Sequence, residues 1–354
     1  MTSQSPLFTP LTVGDLQLPN RVVMAPLTRC RAAAGRVPTP LMRDYYVQRA
    51  GAGLILSEAT AVSPDGVGYP DTPGLWSDEQ VAGWRMVTDG VHAAGGRIMA
   101  QLWHVGRVSD PIYLDGGLPV APSAIPLNGH IRLVRPERPY ATPRALETGE
   151  IPGIVSAYRK AAENALAAGF DGVELHGANG YLLDQFLQDS TNRRTDAYGG
   201  PVENRARLLL EATDACIGVW GAGRVGVHLA PRGDSHDMGD SDPAATFGYV
   251  ARELGRRGIA FICSREAPGP DSLGPALKRE FGGVYIANEG LDLATATSLL
   301  ESGDADAVAF GKAFIANPDL PRRLALGAPL NTPDPSTFYG GAEPGYTDYP
   351  ALPE

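Results

Sequence analysis

The sequence predicts an α/β protein built as a (β/α)8 TIM barrel, with an N-terminal hairpin cap and an insertion after strand 3. Eight short, almost continuously apolar runs indicate strands that are buried on both faces, as parallel strands are. Amphipathic stretches between these runs indicate helices, and alternation of the two kinds of element is typical of a parallel sheet. A doubly wound open sheet has the same alternation, so counting strands leaves both architectures open.

The elements follow one another along the whole chain. The predicted strands are Arg21–Met24, Gly53–Ser57, Arg97–Gln101, Gly172–Leu175, Arg224–Leu229, Ala260–Cys263, Val284–Ala287 and Ala307–Phe310. Apolar residues at helical spacing predict helices over Ile154–Ala168, Asn204–Val219 and Asp242–Arg257. Residues 11–18 are expected to form a hairpin that turns at Gly14-Asp15 and caps the bottom of the barrel.

Residues 105–150 interrupt the alternation, because they are rich in Pro, Gly and Arg and show no clear period. We expect them to form an inserted excursion after the third strand, over the face where barrel enzymes hold their active sites. No linker and no internal repeat divides the sequence, so residues 1–354 are expected to form a single domain.

Composition excludes several classes of protein. The net charge of −10 disfavours binding to nucleic acid or to an anionic membrane. The three cysteines, Cys30, Cys216 and Cys263, are far apart and odd in number, which argues against a disulfide framework. No run of 18 apolar residues exists, and Met1–Pro10 lacks the features of a signal peptide. We therefore expect a cytoplasmic protein, a monomer or homodimer, whose partners are small molecules.

Common catalytic motifs are missing or lack their usual context. Gly221-Ala-Gly223-Arg-Val-Gly226 matches GxGxxG, but a helical pattern precedes it and a strand overlaps it, so we interpret it as a turn into a strand. HExxH, GxxxxGK[ST] and GxSxG do not occur. A metal-dependent lyase or hydrolase on this fold would need a carboxylate or His cluster at the strand ends, and the sequence shows none. No metal is therefore expected.

The strongest candidate site is His176-Gly-Ala-Asn179-Gly-Tyr181, at the carboxyl end of the fourth predicted strand. His and Asn can both donate hydrogen bonds to one oxygen atom, and Tyr is a weak acid that can deliver a proton. Two donors and an acid suit a substrate carbonyl that gains negative charge during reaction. A polar turn whose side chains are satisfied locally remains the alternative on residue types alone.

Three more strand ends carry groups of interest. The run Ala25-Pro26-Leu27-Thr28 ends the first strand, where its backbone would line a planar ligand and Thr28 would bond one edge of it. Gln101 and Trp103 end the third strand and share one side of it. Gly311-Lys312 follows the eighth strand, in a region that binds phosphate in many barrels. Each also has an ordinary structural interpretation, as loop exit, core residue or solvated lysine.

Several long motifs in the right order resemble the Old Yellow Enzyme family of FMN-dependent ene-reductases, through nearly the whole chain. The motifs are Asn20–Arg29, Gln101–His104, His176–Tyr181, Asn192–Arg205, Phe310–Lys312, Ile315–Leu320 and Phe338–Gly340. Thr28, Trp103 and Tyr339 resemble the branch that includes the yeast old yellow enzymes and the bacterial pentaerythritol tetranitrate and morphinone reductases.

The resemblance implies a barrel that holds FMN noncovalently and uses NADPH or NADH as reductant. Activated alkenes, such as α,β-unsaturated ketones, aldehydes, maleimides and nitroalkenes, would then be reduced by hydride from flavin N5. His176 and Asn179 would bind the substrate oxygen, Tyr181 would protonate the α-carbon, and Thr28, Trp103 and Tyr339 would line the substrate space. The cofactor contacts that it implies are Ala25, Pro26, Leu27, Thr28, Ala59, Gln101, His228, Asn288, Gly311 and Lys312.

The sequence departs from the family pattern around the cofactor. His228 stands where the fifth strand normally ends with a flavin-facing arginine, and Arg232 is a second candidate for that role. The loop after strand 7 reads Ala287-Asn288-Glu289-Gly290, which puts a carboxylate near a phosphate site, and Lys312 replaces an arginine.

Three alternatives to an ene-reductase stay open. They are a flavin-binding protein with little turnover, an FMN reductase that acts on nitrate esters or quinones, and a relative of dienoyl-CoA or amine dehydrogenases. The last would need further cysteines and a longer chain. Four arginines of the insertion, Arg132, Arg135, Arg138 and Arg144, either meet a nucleotide phosphate or form ion pairs, and they favour NADPH weakly.

Overall fold

Eight parallel strands close into a barrel in the computed structural model, which describes residues 5–353. The strands β1 to β8 span Val22–Met24, Leu54–Leu56, Ile98–Trp103, Val173–Gly177, Val225–Leu229, Phe261–Arg265, Val284–Asn288 and Ala307–Phe310. Each pairs in parallel with the next, and β8 pairs with β1, so the sheet has no open edge. The predicted (β/α)8 barrel is confirmed, and the open sheet is excluded.

Helices surround the barrel and follow the strands in turn. They are α1 Pro40–Val47, α2 Asp78–Ala93, α3 Ile151–Ala167, α4 Leu182–Leu187, α5 Val202–Arg205, α6 Arg207–Trp220, α7 Pro243–Arg257, α8 Gly274–Phe281, α9 Leu293–Ser302, α10 Lys312–Ala316 and α11 Leu320–Leu326. Their apolar faces bury against the outward side chains of the strands. Within the described residues, no helix is both long enough and apolar enough to cross a bilayer.

The predicted hairpin closes the amino-terminal end of the barrel. Leu11–Val13 pairs antiparallel with Leu16–Leu18, and the Asp15 N–H donates to the carbonyl of Gly223, just before β5, at 3.0 Å. The buried side chains of the hairpin pack against interior side chains of the barrel, among them Leu54, Phe261 and Ala307. Of the segment Met1–Pro10, the first four residues lie outside the described part, as does Glu354.

The insertion lies over the opposite, carboxyl-end face. It contains a short parallel pair, Val120–Ala121 with Arg144–Ala145, which the sequence analysis did not predict. Leu127, Ile131 and Val134 pack in one apolar cluster with Trp103 and Tyr181, so the insertion forms a wall of the space above the strands.

Strand ends differ from the predicted ones where polar residues continue the strand. β4 extends to Gly177, so His176 lies on the strand itself, and β6 extends to Arg265, past the apolar run. Gly221–Gly226 runs from the end of α6 through a 3-10 turn at Ala222–Arg224 into β5. This is the turn into a strand that we predicted, and not the strand-to-helix turn of a dinucleotide site.

Candidate active site

A cavity of about 780 Å³ opens at the carboxyl ends of the strands. Its floor and walls bring together twelve residues that the sequence analysis singled out. They are Ala25, Pro26, Leu27, Thr28, His176, Asn179, Tyr181, His228, Asn288, Gly311, Lys312 and Tyr339. Closure of the barrel places the carboxyl ends of β1, β4, β5, β7 and β8 around this one space, although these strands are far apart in sequence.

Three of the predicted residues do not line the cavity. Gln101 is buried and its Nε2 donates to Glu174 Oε2 at 2.8 Å, inside the barrel. Trp103 is fully buried, with its ring edge-to-face with Tyr181 at 4.9 Å between centroids. Ala59 is buried in the same apolar cluster as Trp103. These residues support the cavity from behind its wall.

His176 presents a neutral imidazole to the cavity. Burial lowers the pKa of His176 well below 6.5, and the positive charges of His228, Arg265 and His236 lower it further. Its Nδ1 is buried and has no hydrogen-bond partner among residues 5–353, which leaves Nε2 as the ring nitrogen that can reach a ligand. A neutral imidazole carries one N–H, so His176 can donate a hydrogen bond without carrying charge.

Tyr181 and Tyr69 form a pair of phenols at the cavity. Their hydroxyl oxygens lie 3.1 Å apart, and both residues line the space. Burial raises the pKa of Tyr181 to about 12, while the hydrogen bond from Tyr69 opposes that rise. Tyr181 is therefore protonated at neutral pH, and Tyr69 can stabilise the phenolate that would remain after a proton is given away.

Glu174, His228 and Cys263 lie side by side inside the barrel. One possible metal-ligand atom from each, a carboxylate oxygen, a ring nitrogen and the sulfur, lies within 4.8 Å of the other two. No such cluster was predicted from the sequence, because the residues come from β4, β5 and β6, which are adjacent only after folding. All three side chains are buried.

The charge on His228 is set by this cluster. Burial alone lowers the pKa of His228, but Cys263 and Glu174 outweigh it and raise the pKa to about 10. Burial also raises the pKa of the Cys263 thiol, and Glu174 Oε1 lies 3.4 Å from His228 Nδ1. The raised pKa favours the imidazolium form of His228 at neutral pH. Arg232 points elsewhere, to Glu266 and the carbonyl of Ala267, and does not line the cavity.

The far end of the cavity carries Lys312 and the loop after β7. Lys312 is exposed and has no carboxylate within 4.0 Å in the described part of the chain. Glu289, whose charge would oppose a phosphate, is paired with Arg265 through Nη2 to Oε1 at 2.9 Å. Asn288 lines the cavity while its Nδ2 donates to the carbonyl of Ala309 at 2.9 Å.

Tyr69, His236 and Arg265 line the cavity with functional groups that were not predicted from the sequence, whereas Arg132, which also lines it, was expected to meet a nucleotide phosphate or form an ion pair. Arg265 lies two residues past the predicted end of its strand, so the only available signal was a polar extension of an apolar run. Tyr69 and His236 lie in loops, and nothing in their local pattern marks them.

The fold and the site together define a barrel enzyme that acts at the carboxyl-end face of its strands. Comparison with known proteins specifies the class further. The NADH:flavin oxidoreductase / NADH oxidase family pattern matches residues 6–331. A putative 12-oxophytodienoate reductase 2 from Oryza sativa subsp. japonica is 45% identical over 365 residues, covering 99% of this chain and 95% of the relative. A probable flavin mononucleotide-dependent alkene reductase from Leishmania infantum is 45% identical, covering 98% and 97%.

Solved structures agree with these relatives. Morphinone reductase in complex with tetrahydroNAD is 53% identical, with a TM-score of 0.95 and 98% of each chain covered. The old yellow enzyme homologue from Zymomonas mobilis is 46% identical, with a TM-score of 0.95 over 98% of this chain and 99% of the other. This chain belongs to the Old Yellow Enzyme family of FMN-dependent oxidoreductases, as its motifs predict.

Proposed function

We propose that this chain is an NAD(P)H-dependent ene-reductase that reduces the activated C=C bond of α,β-unsaturated ketones, aldehydes, maleimides or nitroalkenes. The observation that carries the proposal is the convergence of His176, Asn179 and Tyr181 on one cavity, with two donors and a protonated phenol. Two relatives are named for reductions, one of 12-oxophytodienoate and one of alkenes, which supports the reaction class.

The residues of the cavity fit FMN. His228 lines the cavity, and while its Nδ1 lies 3.4 Å from Glu174 Oε1, its Nε2 has no hydrogen-bond partner within residues 5–353 and would be the nitrogen left for the cofactor. Ala25, Pro26 and Leu27 offer a mostly apolar surface for a flat ring, with Thr28 beside it. Lys312, next to Gly311, would hold the phosphate. Gln101 and Ala59 are buried and do not line the cavity, so they would affect the cofactor only through the residues that contact it.

FMN, when bound, supplies the hydride that goes to the β-carbon of the alkene. His176 Nε2 and Asn179 Nδ2 would bind the carbonyl or nitro oxygen, where negative charge grows as the hydride arrives. Donors of this kind are worth about 2.7–4 kcal/mol each in transition-state stabilisation. Tyr181 would then give its proton to the α-carbon, and the Tyr69 hydroxyl would hydrogen-bond the phenolate left behind.

The reductant would enter the same cavity. Morphinone reductase binds tetrahydroNAD, and the same pair of donors, His176 and Asn179, suits a nicotinamide carboxamide. Among the four insertion arginines, Arg132 lines the cavity and has no carboxylate within 4.0 Å in the described residues. The other three are paired with carboxylates: Arg135, Arg138 and Arg144. Arg132 would face a phosphate of the nucleotide, which favours NADPH.

The experiment that tests the role of Tyr181 separates the two half-reactions by stopped-flow. Tyr181→Phe is expected to slow enone reduction by about 10²–10⁴-fold, the usual contribution of a general acid, while reduction of the flavin by NADPH stays within about twofold. Tyr158→Phe is the matched control, because it removes a hydroxyl from a fully buried tyrosine that does not line the cavity. Enone reduction at full rate in Tyr181→Phe would show that Tyr181 is not the acid.

A further inference from the structure

The Asn179 side chain is held by its oxygen. Arg265 Nη1 donates to Asn179 Oδ1 at 2.7 Å, and Arg265 belongs to the end of β6 while Asn179 follows β4. The backbone of Asn179 is fixed as well, since its φ is +59°, in the left-handed region, and its carbonyl accepts from His236 Nδ1 at 2.7 Å. Asparagine is among the few residues that adopt this conformation readily.

The contact with Arg265 decides which end of the amide faces the cavity. A guanidinium has only donors, so the amide atom that it touches must be the oxygen. The other end, Nδ2, makes no hydrogen bond to any group of residues 5–353, and Asn179 lines the cavity. The group presented to a ligand is therefore a donor.

We propose that Arg265 is a positioning residue, which holds Asn179 by its oxygen so that the Nδ2 donor faces the oxygen of the substrate. This inference rests on the proposed function, in which Asn179 binds that oxygen. A hydrogen bond from a charged group also polarises the amide, which makes the N–H at its far end a stronger donor.

Glu289 holds Arg265 in turn. It follows β7 and pairs with Arg265 Nη2 at 2.9 Å, while Ser235 Oγ lies 3.4 Å from Nη1. The side chains of the ion pair are 34% and 41% exposed, so the pair contributes little to stability, and its effect is geometric. This pairing gives Glu289, in the loop after β7, a structural role. Its charge is paired, and it holds Arg265, which in turn contacts Asn179.

A double-mutant cycle tests the proposal in the FMN-loaded enzyme. Arg265→Met is expected to lower the limiting rate of enone reduction by about tenfold, within the range of coupling between residues in contact. In an Asn179→Ala background, the same substitution should change the rate by less than about twofold, because the group that Arg265 positions is gone. An equal loss in both backgrounds would overturn the proposal.

Two further variants control for folding and charge. Arg252→Met removes an arginine of similar kind, paired with Glu280 on the surface between α7 and α8, and should leave the rate unchanged. Arg265→Lys keeps the charge but loses the fork that reaches Asn179 and Glu289 together, so it should recover only part of the rate. Full recovery with lysine would show that charge alone, and not the position of the amide, is what matters.

An NMR measurement that needs no catalysis tests the position of the Asn179 amide separately from the proposed function. The side-chain NH2 resonances of Asn179, assigned by their loss in Asn179→Ala, should broaden in Arg265→Met as the amide becomes mobile, and should stay sharp in Arg252→Met. Sharp signals in Arg265→Met would refute the positioning role. If the wild-type enzyme reduced no enone, the proposed function would fail while this measurement still decided the role of Arg265.

Discussion

His228 lies on β5 where the family pattern has an arginine, and its neighbours Cys263 and Glu174 raise its pKa, which favours the charged imidazolium. An arginine is cationic at any working pH, whereas an unperturbed histidine loses its proton near pH 6.5. Here Glu174 lies 3.4 Å from His228 Nδ1 in a buried site, and the pKa of His228 is raised to about 10. The imidazolium of His228 therefore stays cationic at the floor of the cavity.

A pH titration of His228 by NMR checks this prediction. The imidazole signal, assigned by its loss in His228→Asn, is expected to titrate with a midpoint of about 10. Because this folded-state pKa lies above 6.5, the charged pair stabilises the fold fully below pH 6.5, progressively less above it, and not at all once the pH exceeds about 10. Glu174→Gln should lower the midpoint from about 10, because it removes one of the two neighbours that raise the pKa of His228, while Cys263 stays. A wild-type midpoint near 6.5 would contradict the assignment.

At the same scale, the sequence predicted those site residues that lie close together along the chain. His176, Asn179 and Tyr181 fall within six positions at the end of one strand, so their shared location was predictable. Arg265 and Tyr69 contact that group from 86 and 112 residues away, and such contacts arise only when the barrel closes.

At the scale of elements, the Asn192–Arg205 motif has a structural function. Arg194 pairs with Asp196 and donates to the carbonyls of Pro122 and Leu146, which directly follow the two short paired strands of the insertion. Asn192 Nδ2 donates to the carbonyls of Phe186 and Tyr198. The segment thus fastens the insertion to the loop after β4, which no pattern within the insertion itself could have revealed.

The hairpin cap gives a prediction about stability. Gly14 has φ +53°, and a Cβ there would lie 2.2 Å from the carbonyl oxygen of Gly223. Gly14→Ala should therefore cost about 1–2 kcal/mol for the left-handed backbone and about 1–3 kcal/mol more for crowding. Urea denaturation measures the loss.

Gly95→Ala is the matched control. Gly95 has φ +78°, but apart from its chain neighbours no described residue has an atom within 4 Å of the position that a Cβ would take there, so only the backbone cost applies. Equal losses in the two variants would mean that the hairpin does not pack tightly against the turn before β5.

At the scale of the whole molecule, the order of strands follows from local patterns and a general rule. Each strand was predictable because burial on both faces makes it apolar, and parallel strands joined by helices must lie side by side. The ends of the strands were less predictable, because Ser264, Arg265 and Asn288 are polar and still pair with their neighbours. Those polar ends form the cavity, so sequence reasoning is weakest where the chemistry takes place. The single-domain organisation, the cytoplasmic location and the oligomeric state stay predictions.

The most direct measurement of ene-reductase activity is an anaerobic visible spectrum of the FMN-loaded protein, first with NADPH and then with cyclohexenone. We expect the flavin bands to bleach with NADPH and to return when the enone is added, and faster bleaching with NADPH than with NADH would support the role of Arg132. Bands that bleach but do not return with any activated alkene would contradict the proposed reaction and would point to another acceptor, such as a nitrate ester or a quinone.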